Sequence, residues 1–130
     1  MTVGSKLAKG SYIVGVNKSI VGSKVLNVEG ENLGKIEEII IDSRDSRVAY
    51  AILSFGGFLG VGDKHFAIPW QALTLDPSQG VATLMIEKDR LKNAPGFDKD
   101  KWPDMTDSTW ATEVLGHYGY KPRRNEGSGA

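Results

Sequence analysis

Glycines crowd one short stretch of the chain, residues 56–63, where four of eight residues are glycine. Residues 57–64 come within one residue of a phosphate-binding P-loop, which requires lysine directly after its second glycine and then serine or threonine. Asp63 stands at the lysine position and puts a negative charge where a phosphate would lie. Residues 65–69 have the composition of a strand, whereas a P-loop leads into a helix whose N-terminus binds the anion. We therefore predict a structural turn here and no nucleotide site.

Three large apolar side chains, those of Phe58, Leu59 and Val61, lie among these glycines. They are predicted to cover one end of the fold. Exposed apolar groups of this kind also contact second subunits or other proteins. Phe58, Leu59 and Val61 are accordingly the residues that we predict to touch a partner.

A cluster of aspartates near the C-terminus raises the question of a calcium site. Its members are Asp98, Asp100, Asp104 and Asp107. A calcium loop of the EF-hand kind needs an acid or amide at position 102 and glycine at 103, where tryptophan and proline stand. Acids at the start of a helix are favoured by the positive end of its dipole, and the aspartates fit that role. We therefore predict helix-capping residues here and no metal site.

Histidines and paired carboxylates, the usual general acids and bases, form no catalytic arrangement in the sequence. The two histidines, His65 and His117, are far apart, and the chain has no cysteine, so a zinc or iron site lacks ligands. His65 begins a strand-like run after a loop, and we predict an edge or surface position for it. Glu37 and Glu38 are neighbours on a strand and point to opposite faces, so they cannot flank one substrate. The sequence thus predicts no catalytic residue, no cofactor and no enzyme.

The charge balance of the chain bears on nucleic acids. Of 130 residues, 16 are lysine or arginine and 16 are acidic, so the net charge is zero, whereas a general nucleic-acid binder carries excess positive charge. Trp102 and Trp110, which could stack on bases, stand among aspartates that repel phosphate. No apolar run approaches the roughly 20 residues that span a bilayer, and the absence of cysteine is compatible with a reducing compartment. We predict a cytoplasmic protein with no strong nucleic-acid signal and no transmembrane segment.

Short strand-like runs separated by turn residues fill the middle of the chain. They cover residues 24–28, 33–42, 47–55, 65–69, 73–76 and 81–87. Runs at this spacing predict an antiparallel sandwich or a small barrel. The second and third runs are apolar on both faces, which indicates either that both faces are covered or that a bulge shifts the phase of a strand.

After residue 87 the pattern becomes helical. Asp98 is predicted to cap a short helix that ends before Pro103, and Asp107 is predicted to cap a second one. One face of this second helix carries Trp110, Val114 and Tyr118 at four-residue steps. We expect this aromatic face to pack on the outer surface of the strands, which would explain their two apolar faces.

Several motifs, in their order and spacing, resemble the PRC-barrel domain family. They are L-G-K-I at 33–36, V-A-Y at 48–50, G-G-F at 56–58 and I-P-W at 68–70. Two further stretches, L-K-N-A-P-G-F at 91–97 and W-A-T-E-V-L-G-H-Y-G at 110–119, are similar to the tail of stand-alone bacterial members. The family is named for the cytoplasmic part of the photosynthetic reaction-centre H subunit, and the same barrel forms one half of a bacterial ribosome maturation factor.

The resemblance implies an all-β fold, a small six-stranded β-barrel of the PRC type with a short helical C-terminal extension. We expect a flexible arm over residues 1–19, the barrel over 20–90, the extension packed on the barrel over 91–120 and a disordered tail over 121–130. The family implies a non-catalytic protein-interaction or assembly module, and we expect a homodimer with an unknown protein partner. An RNA- or ribosome-associated factor and a small-ligand or ion-binding protein stay open as alternatives.

Overall fold

The computed structural model describes residues 4–6, 12–58 and 62–122, with the backbone alone at 4–6, 12, 56–58, 62 and 63. Its strands are β1 (Gly4–Lys6), β2 (Tyr12–Val14), β3 (Lys24–Leu26), β4 (Asn32–Asp42), β5 (Arg47–Phe58), β6 (Gly62–Pro69), β7 (Leu73–Asp76), β8 (Val81–Leu84) and β9 (Gly96–Phe97). Its helical segments are a π-helical turn at Val16–Ile20, a 3-10 turn at Trp70–Ala72, α1 (Lys88–Lys92) and α2 (Ser108–His117).

Seven of these strands form one sheet in the order β7-β8-β3-β4-β5-β6-β9, and β1 pairs with β2 separately. All six runs expected from the sequence are strands of this sheet. Neighbouring strands are antiparallel except β3 and β8, which run parallel. The protein is therefore mostly β, with short helical segments before and between the sheet strands and with α2 after the last of them.

The expected closed barrel of six antiparallel strands differs from this sheet. A seventh strand, β9, pairs with His65 and Phe66 of β6, and no ladder in the described residues joins the edge strands β7 and β9. Residues 94–97, which include Pro95 and Gly96, carry no strand pattern in the sequence. A strand of two residues exists only through its pairing with β6, and such pairing, like closure, depends on tertiary context that local sequence does not carry.

One face of the sheet encloses the main core. Side chains alternate along β5, so Ala51, Leu53 and Phe55 point to this face. The buried members of the core are Ile20, Val25, Leu33, Ile36, Ala51, Leu53, Phe55, Phe66, Ile68, Ala82, Leu84, Ile86, Leu91 and Ala94. Burial of each large side chain among them contributes about 1.5–3 kcal/mol before entropy is counted, so this cluster is the main source of stability.

The other face of β5 and β6 is covered by α2. A second buried cluster joins Tyr50, Ile52 and Ala67 of the sheet to Val114 and Leu115 of the helix. Both faces of β5 are apolar because each face is covered by a different part of the chain.

Two bulges interrupt the pairing of β4 with β5. One leaves Glu37 of β4 without a register partner, and the other leaves Ala49 of β5 without one. A bulge bends its strand and shifts the alternation of side chains. Both explanations that the sequence left open therefore apply, a covered outer face and a shifted phase.

The capped second helix is present and the first predicted helix is not. At the start of α2 the Thr109 N–H donates to the Asp107 carboxylate at 2.8 Å, and Gly119, with φ +87°, follows its end. Residues 98–101 instead form a turn closed by a bond from the Lys101 N–H to the Asp98 carbonyl. The prediction of a helix from Asp98 was wrong because the segment between Asp98 and Pro103 is too short to form a stable helix.

Candidate binding groove

A groove of about 340 Å³ runs between α2 and the end of the sheet where β4 turns into β5. This volume lies within the usual range of ligand pockets. Its walls come from the β4–β5 turn, the first residues of β5, the 3-10 turn, and the residues before, within and after α2. The lining residues are Asp42, Arg44, Val48, Ala49, Tyr50, Gln71, Thr106, Ser108, Ala111, Thr112, Leu115, Lys121 and Pro122.

The floor of the groove is apolar. Ala111 and Leu115 lie one helical turn apart on α2 and so share one side of the helix, and Val48 and Ala49 lie on β5 across from them. The two alanines are half-buried and leave space that larger side chains would fill. The floor therefore suits an aliphatic group.

Tyr50 joins this floor to the helix. Its ring meets the ring of Trp110 edge-on, with 5.4 Å between centroids and 66° between planes, a favourable geometry for aromatic pairs. Burial raises the pKa of the Tyr50 phenol, and the negative charge of Asp42 raises it further. The phenol therefore stays protonated near neutral pH.

The mouth of the groove carries an ion pair built into the β4–β5 turn. Arg44 Nη2 lies 2.6 Å from Asp42 Oδ2, and Arg44 Nε lies 3.0 Å from Asp42 Oδ1. The backbone N–H of Arg44 also donates to Asp42 Oδ1, at 2.9 Å. An exposed pair of this kind contributes little to stability, but the turn holds the guanidinium at the mouth.

Hydroxyl and amide groups form the rim. They belong to Gln71, Thr106, Ser108 and Thr112. The Thr106 hydroxyl and N–H both donate to Asp104 Oδ1, at 2.5 and 3.0 Å, and these two bonds lower the pKa of the Asp104 carboxyl. The Asp104 carboxylate thus faces the Thr106 backbone, and the rim residues that line the groove are uncharged.

The segment after α2 returns to the groove and completes it. The Tyr120 hydroxyl donates to the Gln71 carbonyl at 3.4 Å, which holds this segment against the 3-10 turn. Lys121 and Pro122 then line the groove. A cationic side chain is thereby added to the lining of the groove.

Residues 17–92 match the family model of the PRC-barrel domain. The chain belongs to the PRC-barrel domain family. The matched range is more than half of the chain and contains β3 to β8, and with them the β4–β5 turn and the start of β5. The opposite wall of the groove, from Thr106 to Pro122, lies beyond the match. The groove therefore forms where the PRC-barrel domain meets its C-terminal extension.

One solved structure similar to the chain is that of a Pseudomonas aeruginosa protein described as a 16S ribosomal RNA processing protein, RimM. The two are 19% identical with a TM-score of 0.38, and the match covers 55% of this chain and 43% of that one. The chain thus spans less than half the length of that structure, and a likeness at this TM-score carries no argument about function. No curated protein matches the chain. Among the described residues, no helix has the length and apolar character that crossing a membrane requires.

In the PRC-barrel domain the two described ends of the glycine-rich stretch, residues 56–58 and 62–63, belong to β5 and β6. Phe58, near its middle, is still part of β5 and pairs with Gly62 of β6, with a register shift after Phe55. The residues after the stretch continue β6, where a P-loop would begin a helix. Phe58 thus ends β5, while Leu59 and Val61 lie outside the described residues. Contact of Phe58, Leu59 and Val61 with a partner stays a prediction.

The predicted edge or surface position of His65 was wrong. His65 is only 9% exposed and lies against the rings of Phe97 and Trp102, with centroids 5.8 and 6.2 Å away. Phe97 belongs to β9, the strand that the sequence did not reveal, and this strand covers His65. The other histidine, His117, instead contacts the Arg90 carbonyl of α1. In the part of the chain that the structure describes, no group of three or more metal-ligating side chains comes together.

The groove itself could not be predicted from the sequence. Its residues come from separate segments and are small, polar or aliphatic types that match no motif. The local signals that bear on it are the turn-forming D-S-R-D at 42–45 and the Asp107 cap. Neither indicates that the two segments meet.

Proposed function

We propose that this chain is a non-catalytic protein-interaction module whose groove binds a segment of a partner protein. The observation that carries the proposal is the position of the groove, between the PRC-barrel domain and an extension outside the family match. Ligand sites occur preferentially where two structural units meet. A groove of about 340 Å³ has room for a few side chains of a peptide, so an extended segment fits it better than a folded surface.

The titratable groups of the groove support binding over catalysis. Asp42 is engaged by Arg44 through both carboxylate oxygens, and the raised pKa of Tyr50 keeps its proton in place. A general acid or base works best with a pKa near the working pH. The uncharged rim, by contrast, offers donors and acceptors that suit the backbone of an extended peptide.

Filling the groove tests the proposal. Ala111→Trp places a large ring over the apolar floor, whereas Ala111→Ser keeps the groove open. Gln79→Trp adds the same ring to the exposed turn between β7 and β8 and is the matched control. Circular dichroism and thermal unfolding first establish that all three variants fold. Proteins retained from a cell lysate by each immobilised variant are then compared by mass spectrometry.

We expect the wild type, Ala111→Ser and Gln79→Trp to retain the same proteins and Ala111→Trp to lose them. If Ala111→Trp retains the same set, binding lies elsewhere on the molecule and the groove is not the site.

We also propose that the module forms a homodimer through Phe58, Leu59 and Val61. What supports this is the sequence, which places one large apolar residue in the Phe58–Gly62 pair of β5 and β6 and two more, Leu59 and Val61, between the members of that pair. Apolar groups grouped in this way favour contact with another protein surface.

A further inference from the structure

We propose that the groove selects an acidic segment that carries an aliphatic side chain; this refinement rests on the proposed function of the groove. Two properties of the groove lead to it, a mouth whose exposed charge is positive and a floor that is apolar and lined by small side chains.

The exposed charge at the mouth comes from Arg44. Its side chain is 60% exposed, whereas that of Asp42 is 17% exposed. Both oxygens of Asp42 accept hydrogen bonds from the guanidinium. An approaching ligand therefore meets the cation of this pair before it meets the anion.

Lys121 adds a second exposed cation to the lining. It forms no ion pair with another described residue. Two exposed cations in one lining attract a segment with more than one carboxylate, and this attraction weakens as salt is added.

Two acids that precede α2, Asp104 and Asp107, keep their negative charge but lie outside the lining of the groove. The Asp104 carboxylate accepts from the Thr106 N–H, and the Asp107 carboxylate accepts from the Thr109 N–H. Neither aspartate lines the groove. The charged residues of the lining are thus Arg44, Lys121 and the shielded Asp42.

The apolar floor favours a ligand with an aliphatic side chain between its carboxylates. Ala49 and Ala111 leave room above Val48 and Leu115, and a leucine-sized side chain placed there removes apolar surface from water on both partners. A bound segment of charged residues alone would leave the apolar floor exposed to water.

Residues 123–130 of the chain itself do not meet these requirements. Their sequence is R-R-N-E-G-S-G-A, with two arginines, one glutamate and no large apolar residue. The arginines would be repelled by the mouth, and nothing would fill the floor. The occupant that we propose is a segment of another protein.

A peptide titration followed by NMR tests the proposal. The probe is the acetylated and amidated pentapeptide EELDE, added to the full isotope-labelled chain. The matched peptides are EESDE, which lacks the aliphatic anchor, and KKLKK, which reverses the charge. We expect EELDE at about millimolar concentration, a range typical of weak peptide binding, to shift the amide signals of Ala49, Ala111 and Leu115.

EESDE should bind at least about fivefold more weakly because the anchor is lost, and KKLKK should leave these signals unchanged. Raising the salt from about 0.05 to about 0.5 M should weaken EELDE binding several-fold, because the Debye length shortens. Lys121→Glu should weaken it by about three- to tenfold, whereas Lys24→Glu, the same charge change on β3, should leave it unaltered.

Equal binding of KKLKK, or no shift of the groove signals by EELDE at about 10 mM, would overturn the proposal. So would an octamer of uridylate RNA that shifts the same signals at lower concentration, a result that favours nucleic acid. Loss of lysate partners from Ala111→Trp in any of these cases would leave the groove as the binding site and show that only its preferred chemistry was misassigned.

Discussion

Arg90 and His117 hold α1 against the end of α2 through two hydrogen bonds of opposite direction. Arg90 Nη2 donates to the His117 carbonyl at 2.8 Å, and His117 Nε2 lies 3.0 Å from the Arg90 carbonyl. Because a carbonyl only accepts, Nε2 carries the proton. The pair joins the last element of the family match to the helix that forms one wall of the groove, so it fixes one end of that wall.

Loss of the Arg90 side chain should loosen this attachment. We expect Arg90→Met, which keeps the aliphatic stem, to lower the free energy of unfolding by about 0.5–1.5 kcal/mol, since one hydrogen bond from a charged group is lost at an exposed site. Urea unfolding followed by tryptophan fluorescence measures the change. Lys92→Met on the same helix is the control and should shift stability by less than about 0.5 kcal/mol. Equal stability of the two variants would mean that the Arg90–His117 contact does not hold the helices together.

Gly34 of β4 packs directly against the backbone of β5. Its φ is +121°, and a Cβ atom placed there would overlap the carbonyl oxygen of Ser54. Gly34→Ala should therefore lower the free energy of unfolding by about 2–4 kcal/mol, since both backbone strain and the clash oppose it. Gly116→Ala, in α2 with open space around it, should instead raise stability by up to about 1 kcal/mol. Thermal unfolding of both variants decides, and a Gly34→Ala protein as stable as the wild type would show that β4 and β5 are not so close there.

The parts of the fold that could be predicted from the sequence are those that local pattern determines. The six central strands follow from runs of β-branched and apolar residues between turns, and α2 follows from the Asp107 cap with Trp110 and Val114 on one face. Both elements carry their signal within a few residues. The resemblance to the PRC-barrel family rested on the order of several such short signals and is confirmed by the match over residues 17–92.

The parts that could not be predicted depend on contacts between distant residues. β9 has two residues and no strand pattern, yet its pairing with β6 covers His65. The parallel pairing of β3 with β8 and the open edges are likewise properties of pairing. The groove has the same origin, because Val48 and Ala111 acquire a role only when α2 lies on β5. A sequence with no motif at these positions gives no local indication of such a site.

The proposed homodimer leads to a prediction at the hairpin of β5 and β6. Replacing Phe58, Leu59 and Val61 together by serine should convert a dimer into a monomer, because apolar contact between subunits is lost. Sedimentation equilibrium at micromolar protein measures the mass directly. The variant with serine at Ile41, a residue of β4 that is 59% exposed, controls for general loss of apolar surface. A wild-type chain that sediments as a monomer would end the dimer proposal, and a triple variant that stays dimeric would move the interface elsewhere.

Tyr118 follows the last residue of α2 and packs against both core clusters. Its buried hydroxyl has no hydrogen-bond partner among the described residues. Burial raises the pKa of this phenol well above that of an exposed tyrosine, and the nearby positive charge of Arg90 offsets only part of the rise. A buried hydroxyl without a partner lowers the free energy of unfolding by about 1–3 kcal/mol. The Tyr118 ring therefore stabilises the fold by its burial, whereas its hydroxyl destabilises it.

Tyr118→Phe should therefore leave stability at pH 8 unchanged or raise it by up to about 1 kcal/mol. In alkaline solution the unfolded chain releases the Tyr118 proton near pH 10, whereas the folded chain keeps it. The contribution of this proton to the free energy of unfolding is therefore complete below about pH 10 and is lost as the pH rises further. Removing the hydroxyl should make the decline in stability above about pH 10 shallower, by up to about 1.4 kcal/mol per pH unit.

Urea unfolding at several pH values between about 8 and 11 measures both effects. Tyr120→Phe is the matched control and should lower stability at pH 8, because the Tyr120 hydroxyl donates to the Gln71 carbonyl; a loss of more than about 1 kcal/mol on Tyr118→Phe at that pH would show that the Tyr118 hydroxyl has a partner after all.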